Sequence, residues 1–179
     1  MRCLLRGLLV VVLALIAAVG LAFLLAPAEV RVERSIVINA PAEAIFPKVN
    51  NLQAWRTWSP WMQREPDMKS TYEGPEAGEG AKTSWESETQ GNGSQTITRS
   101  VPNERIETAL DFGDMGSATS DWTFEEEGES TRVTWGMDTT PTKNPIGRCF
   151  NLMMDKMVGA DYETGLASLK AEVESGAAN

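Results

Sequence analysis

The chain has no histidine among its 179 residues. The commonest general base and imidazole metal ligand is therefore missing, which excludes a nucleophilic triad in its usual histidine form. Cysteine is almost as scarce. Cys3 and Cys149 cannot make a disulfide framework, and neither stands at metal-ligand spacing from a partner. No metal site and no cofactor is expected, and stability must come from a core. The glycines at 74, 78 and 80 do not open a helix after a buried strand, so a dinucleotide fingerprint is a poor match. Basic charge is the third shortage. Lys and Arg number 16 against 25 acids; setting aside Arg2 and Arg6 leaves 14 against 25, a net charge of −11 after residue 28. Such a domain repels nucleic-acid phosphates and does not dock on anionic lipid through a basic face.

What the sequence does contain begins with an apolar run. Residues 7–28 are 22 positions without a charge, and a helix crossing a hydrocarbon core of about 30 Å needs about 20. Arg2 and Arg6 before the run place the N-terminus in the cytoplasm and the domain on the extracytoplasmic, periplasmic side. A cleaved signal peptide is the competing reading, because Ala26-Pro27-Ala28 fits a small-x-small cleavage pattern. The run exceeds the ordinary apolar region of a signal, roughly 7–15 residues, which favours an uncleaved anchor. Cys3 precedes the run and is not in a lipobox position.

Beyond the anchor the pattern is largely strand. Val30, Val32, Ile36 and Ile38 alternate with polar residues, with Arg34 on the apolar side. Pro41 and Glu43 open a helix carrying Ile45 and Val49, and Pro47 keeps it short, kinked or divided. Trp55, Trp58 and Trp61 then recur every third residue. Three indoles so close mark either a packed corner or the rim of a pocket. From residue 67 onward, short alternating segments separated by Gly, Pro and Asn predict six antiparallel strands in a meander. Arg99 reads as inward on the fourth of the chain's seven strands.

The last helix is predicted over residues 146–173. Ile146, Phe150, Met154, Met157, Asp161, Gly165, Leu166, Leu169 and Val173 form one stripe, widened by Met153, Val158 and Tyr162. Between this helix and the sheet lies a space. Trp85, Phe112, Trp122 and Trp135 point into it from the strands, and Phe150, Met153, Met154 and Met157 from the helix. Trp58 is the member of the tryptophan run assigned to the same set. Composition leaves two readings open, a filled core or an adaptable apolar pocket. Asp161, alone among acids on the apolar stripe, is either the one candidate acid or base or a carboxylate bound by an indole, hydroxyl or arginine.

The order β-αα-β6-α, with the stretches RSIVINAPAEAIFPKVNNLQAWRTWSPW, YEGPEAGEGAKTSWES, ITRSVPNERIETALDF and TRVTWGM, resembles the START-like superfamily, also called SRPBCC or Bet v 1-like. The resemblance is to its polyketide cyclase/dehydrase and lipid-transport branch and spans residues 30–174. It implies an α+β helix-grip fold, a curved seven-stranded antiparallel sheet wrapped around the long C-terminal helix, with a deep apolar cavity between them. The expected organisation is an N-terminal transmembrane helix (1–28), the START-like domain (29–175) and a disordered tail (176–179). The function implied is membrane-anchored, non-catalytic binding of a hydrophobic small molecule or lipid. An enzyme using a buried carboxylate and a protein-interaction module are the alternatives.

Overall fold

Period-two alternation does build seven strands in a computed structural model that describes residues 26–142 and 145–177, with six helical positions between Gly7 and Gly20. The strands are β1 (Arg31–Ile38), β2 (Lys69–Glu73), β3 (Lys82–Glu86), β4 (Gly93–Val101), β5 (Arg105–Asp111), β6 (Ser117–Glu127) and β7 (Ser130–Thr139). Every neighbouring pair is antiparallel, in the order β1-β7-β6-β5-β4-β3-β2. Six strands thus form a meander, and β1 closes the sheet beside the last of them. The predicted membrane span lies for the most part outside the described residues. Among the described residues no helix is long and apolar enough to cross a membrane.

Register shows which side chains share the inner face. Val32, Ile38, Ile97, Ile106, Trp122, Phe124, Val133, Trp135 and Met137 are all buried there, as the alternation predicts. Arg99 is the exception. A bulge shifts the β4–β5 register between Ile97, opposite Thr108, and Arg99, opposite Glu107. The extra residue, Thr98, turns the strand over. Arg99 therefore faces solvent beside Glu107, and Ser100 takes the inward position and donates to Asn50 Oδ1.

Three short helices join β1 to β2: α1 (Ala42–Asn50), α2 (Trp55–Trp58) and α3 (Pro60–Arg64). Pro47 sits inside α1, which is nine residues long. A helix end leaves carbonyls without partners. Here the Trp55 indole donates to Val49 O at 2.9 Å and the Trp58 indole to Lys48 O at 3.1 Å. Trp55 and Trp58 thus form a packed corner, buried and capping the helix before it, with Trp61 half-buried beside them.

The C-terminal helix α4 spans Pro145–Ala177. It runs alongside β1 in the same direction. Asn151 Nδ2 donates to the carbonyls of Pro27 and Ala28, both at 3.1 Å. Farther along, Arg34 reaches Asp155 at 2.9 Å and Glu163 at 2.7 Å, Lys170 donates to Val37 O, and Glu174 accepts from the Asn39 amide. Arg34 lies across Gly159, where any Cβ would meet its guanidinium. The hydrogen bond to Asp155 is the main reason the Arg34 pKa is raised and that of Asp155 lowered.

The buried stripe of α4 follows Asn151, Gly159, Tyr162, Gly165, Leu166, Leu169 and Val173, with Met154 and Val158 half-buried. In the C-terminal half this is the predicted stripe. In the N-terminal half it is displaced by one residue, roughly 100° around the helix. Phe150, Met153 and Met157, predicted to face the sheet, are instead 50%, 56% and 47% exposed, and Leu152 is 59% exposed. The cause is Asn151. Its amide side chain is held inward by the two carbonyls of the incoming chain, and that turns its apolar neighbours outward.

Candidate functional site

The predicted site is the space between sheet and helix, and its central part is closed by aromatic rings. Trp58 and Trp122 are fully buried, and Trp135 and Tyr162 retain 2% of their surface each. A side chain with no accessible surface borders no space that admits a water molecule. Trp122 stacks on Trp135 with centroids 4.2 Å apart, and Trp135 stacks on Tyr162 at 3.8 Å. Trp55, Trp58 and Trp61 meet Trp135 edge-on at 5.6–5.9 Å. These rings are core, so Trp58, Trp122 and Trp135, predicted to line the space, fill it instead.

Trp85 and Phe112 occupy a different environment. They are half-buried, in edge-to-face contact at 6.2 Å, at the end of the sheet where β3 leaves and β5 finishes. Trp85 donates its indole N–H to Gly91 O at 3.1 Å, which ties the ring to the β3–β4 loop. Leu110 lies on the same face of β5, also half-buried. Between these rings and the aromatic core runs a band of buried polar side chains, Thr83, Gln95, Thr108 and Ser120, on β3 to β6. Thr83 pairs with Gln95 and Thr108 with Ser120 in the ladder, so they share the inner face.

Sequence spacing does not single out this band, because threonines alternate along several strands on both faces. Its members are unequal. Ser120 Oγ accepts from the Trp135 indole at 3.2 Å and shares a hydrogen bond with Tyr162. The hydroxyls of Thr83 and Thr108 and the indole N–H of Trp122 are buried with no partner among the described residues. An unmade hydrogen bond of this kind costs roughly 1–3 kcal/mol, and three on one inner face are unusual in a native core.

The acidic candidate lies elsewhere. Asp161 pairs with Arg64 of α3, at the seam between α3 and α4, with its side chain partly exposed. Among the described residues no group of three His, Cys, Asp or Glu side chains is placed to hold a metal ion. A surface pocket of about 350 Å³ lies among Arg56, Met62, Gln63, Glu65, Pro66 and Met68, and shares no residue with the predicted set. Glu65 there accepts from Ser87, Thr89 and Gln90. Those hydrogen bonds, the one from Ser87 foremost, lower its pKa.

The titrating groups predict how stability follows pH. Burial raises the Tyr162 pKa above its ordinary value near 10. A raised folded pKa means that stability is fully present below about pH 10 and is lost as pH climbs toward the folded value. Asp155, Glu65 and Glu174 are lowered, so what they contribute is present above the ordinary carboxylate range and is lost as pH falls through it. With no histidine in the chain, the urea midpoint is expected to be level from about pH 6 to 8 and to fall on both sides. A midpoint that moves substantially between pH 6 and 8 would contradict this assignment.

Solved structures share this architecture at low identity. A Chromobacterium violaceum protein superposes with a TM-score of 0.54 at 19% identity, covering 82% of this chain and 97% of its own. The Zhui aromatase/cyclase from a Streptomyces species gives 0.62 at 14% identity, with 82% and 94% covered. A subunit of the Aha1 dimer from Colwellia psychrerythraea gives 0.56 at 14% identity, with 79% and 96% covered. At such identities the likeness establishes the fold alone. No curated protein matches the sequence. The sequence itself matches a family described as polyketide cyclase / dehydrase and lipid transport over residues 29–174, which takes in the whole sheet and α4 through Glu174, and the chain belongs to that family.

Proposed function

We propose that this protein is a membrane-anchored, non-catalytic binder of a hydrophobic small molecule or lipid that carries a hydrogen-bonding group. The ligand sits under α4 at the Trp85–Phe112 end of the sheet. The observation that carries the reading is that two hydroxyls of the inner face, Thr83 on β3 and Thr108 on β5, are buried without partners at the half-buried aromatic and aliphatic end of the sheet. An apolar body that parts Trp85, Leu110 and Phe112, with one carbonyl or hydroxyl reaching the sealed Thr108 hydroxyl beneath them, satisfies both features. The family's lipid-transport members support an apolar ligand, and the 22-residue apolar run supports the anchor. Arg2 and Arg6 before that run support a cytoplasmic N-terminus with the domain on the extracytoplasmic, periplasmic side.

The neighbour named as an aromatase/cyclase raises the enzymatic alternative. That reading requires an acid or base in the same space, and the predicted one, Asp161, is engaged by Arg64 outside it.

The test is mass spectrometry of the full chain purified in detergent, first under native conditions and then denatured. A bound apolar molecule released only on denaturation is expected. Thr108→Val is expected to weaken its retention about tenfold, the effect of one lost buried hydrogen bond of roughly 1.4 kcal/mol, while leaving stability unchanged or raised. No retained molecule, and no uptake from a total lipid extract, would remove the proposal.

A further inference from the structure

The sheet has two unlike ends, and the strand register shows what each contains. At one end lie the start of β1, the finish of β7, the β5–β6 turn and the β3–β4 loop: Arg31 pairs with Asp138, Ala118 with Thr139, Asp111 with Ser117, and Trp85 with Gly93. The N-terminal half of α4 is at the same end, because Asn151 holds Pro27 and Ala28.

Three features coincide there. The half-buried residues of the candidate site, Trp85 and Phe112, open toward this end. The large apolar side chains that α4 exposes, Phe150, Leu152, Met153 and Met157, are all in its first half, and Met115, 72% exposed, tips the β5–β6 turn. The chain also enters the domain here, from the apolar run that finishes at residue 28. Among residues 26–142 and 147–176 no other large apolar side chain is exposed.

The geometry points to this end as a membrane-docking face. The start of α4, with Phe150, Leu152 and Met153 and with Met157 one turn farther along, dips into the acyl–headgroup boundary of the same bilayer that holds the apolar run. This inference rests on the anchored reading proposed above and adds an orientation to it. Pro27 and Ala28 are fixed to Asn151, which leaves almost no linker between the last apolar residue and the helix. A span ending there brings Phe150 and Met153 to the level where its own flank meets the headgroups. Trp, Phe and Leu on an interfacial helix face insert by their apolar area. The strongly acidic domain favours zwitterionic over anionic lipid at this contact. The candidate site then opens onto the bilayer, and an apolar ligand passes between lipid and domain without crossing water.

The test uses the full chain with Cys3→Ser and Cys149→Ser, reconstituted into phosphatidylcholine vesicles. A single cysteine carrying an environment-sensitive dye is placed by Met153→Cys, by Met157→Cys, or by Glu129→Cys at the opposite end. Two positions on α4 guard against one of them disturbing the fold. At 153 and 157 a blue-shifted emission is expected, with quenching by shallow doxyl-phosphatidylcholine at least threefold greater than at 129. Quenching at 153 and 157 no greater than at 129, with vesicle flotation surviving an alkaline carbonate wash, would overturn the docking face and leave the anchor standing. A blue shift without lipid quenching would mean that a second copy or the chain's own apolar run covers the helix, and would overturn it too. Chain stripped by carbonate yet quenched on re-addition of vesicles would support the face and remove the anchor.

Discussion

Replacing Trp135 with alanine is expected to remove about 3–5 kcal/mol of stability, the largest single loss in the domain. Trp135 is buried to 2%, stacks between Trp122 and Tyr162, and meets three further indoles edge-on. Its indole N–H also occupies Ser120. Removing the ring opens a void that rigid neighbours cannot fill and leaves the Ser120 hydroxyl with one partner fewer. The helix side is equally constrained: a Cβ at Gly165 would come within 3.0 Å of the Trp135 ring and 3.1 Å of Pro60. Against a total of roughly 5–15 kcal/mol for a domain of this kind, such a loss approaches the whole margin. Urea unfolding followed by near-ultraviolet circular dichroism measures it. A loss below about 1 kcal/mol would show that the ring borders open space and is not packed core.

The same ring explains where sequence reasoning succeeds. Val133, Trp135 and Met137 alternate with Thr134 and Gly136, so period two assigns Trp135 to the inner face at once. The seven strands, their meander and the long final helix follow from that one signal. Whether an inward side chain fills the core or lines a pocket does not follow, because both need the same apolar residues. Trp122 and Trp85 read alike in sequence; one is sealed among Trp55, Trp58 and Trp135 and the other is half-open at the sheet's end.

Two misplacements have local causes that spacing does not encode. Arg99 reads as inward until the bulge at Thr98 inverts the strand. Phe150, Met153 and Met157 read as buried because they complete a helical stripe, yet Asn151 sets the rotation of that half of the helix by binding carbonyls far away in the chain. The signal available was the mismatch itself: an amide inside an apolar stretch, next to residues that continue the stripe one position out of phase. Thr83 and Thr108 carry no signal in sequence. Their interest comes from being buried without partners, a property only coordinates reveal.

The mouth of the candidate site depends on Gly93, and substituting it is the sharpest test of how Trp85 is held. Gly93 faces Trp85 across the β3–β4 pair. A Cβ there would sit 2.5 Å from the indole and 2.8 Å from the Asp111 carbonyl of the next strand. The indole can swing away, but the carbonyl belongs to a hydrogen-bonded ladder and cannot. Gly93→Ala therefore expels Trp85, breaks its hydrogen bond to Gly91 and spreads β4 from β5. The overpacking costs about 1–3 kcal/mol, partly offset by the roughly 0.5–1 kcal/mol that alanine gains over glycine within a strand. Stability is expected to fall by no more than about 2.5 kcal/mol on that balance, whereas retention of an apolar ligand is expected to fall at least tenfold, because Phe112 loses its partner ring. Trp85→Ala separates the two effects: it keeps the strands in register, removes the ring, and is expected to match Gly93→Ala in ligand loss with a smaller change in the urea midpoint. Equal ligand retention in wild type and both variants would place the ligand away from this end of the sheet, and with it the polar band that the site is built on.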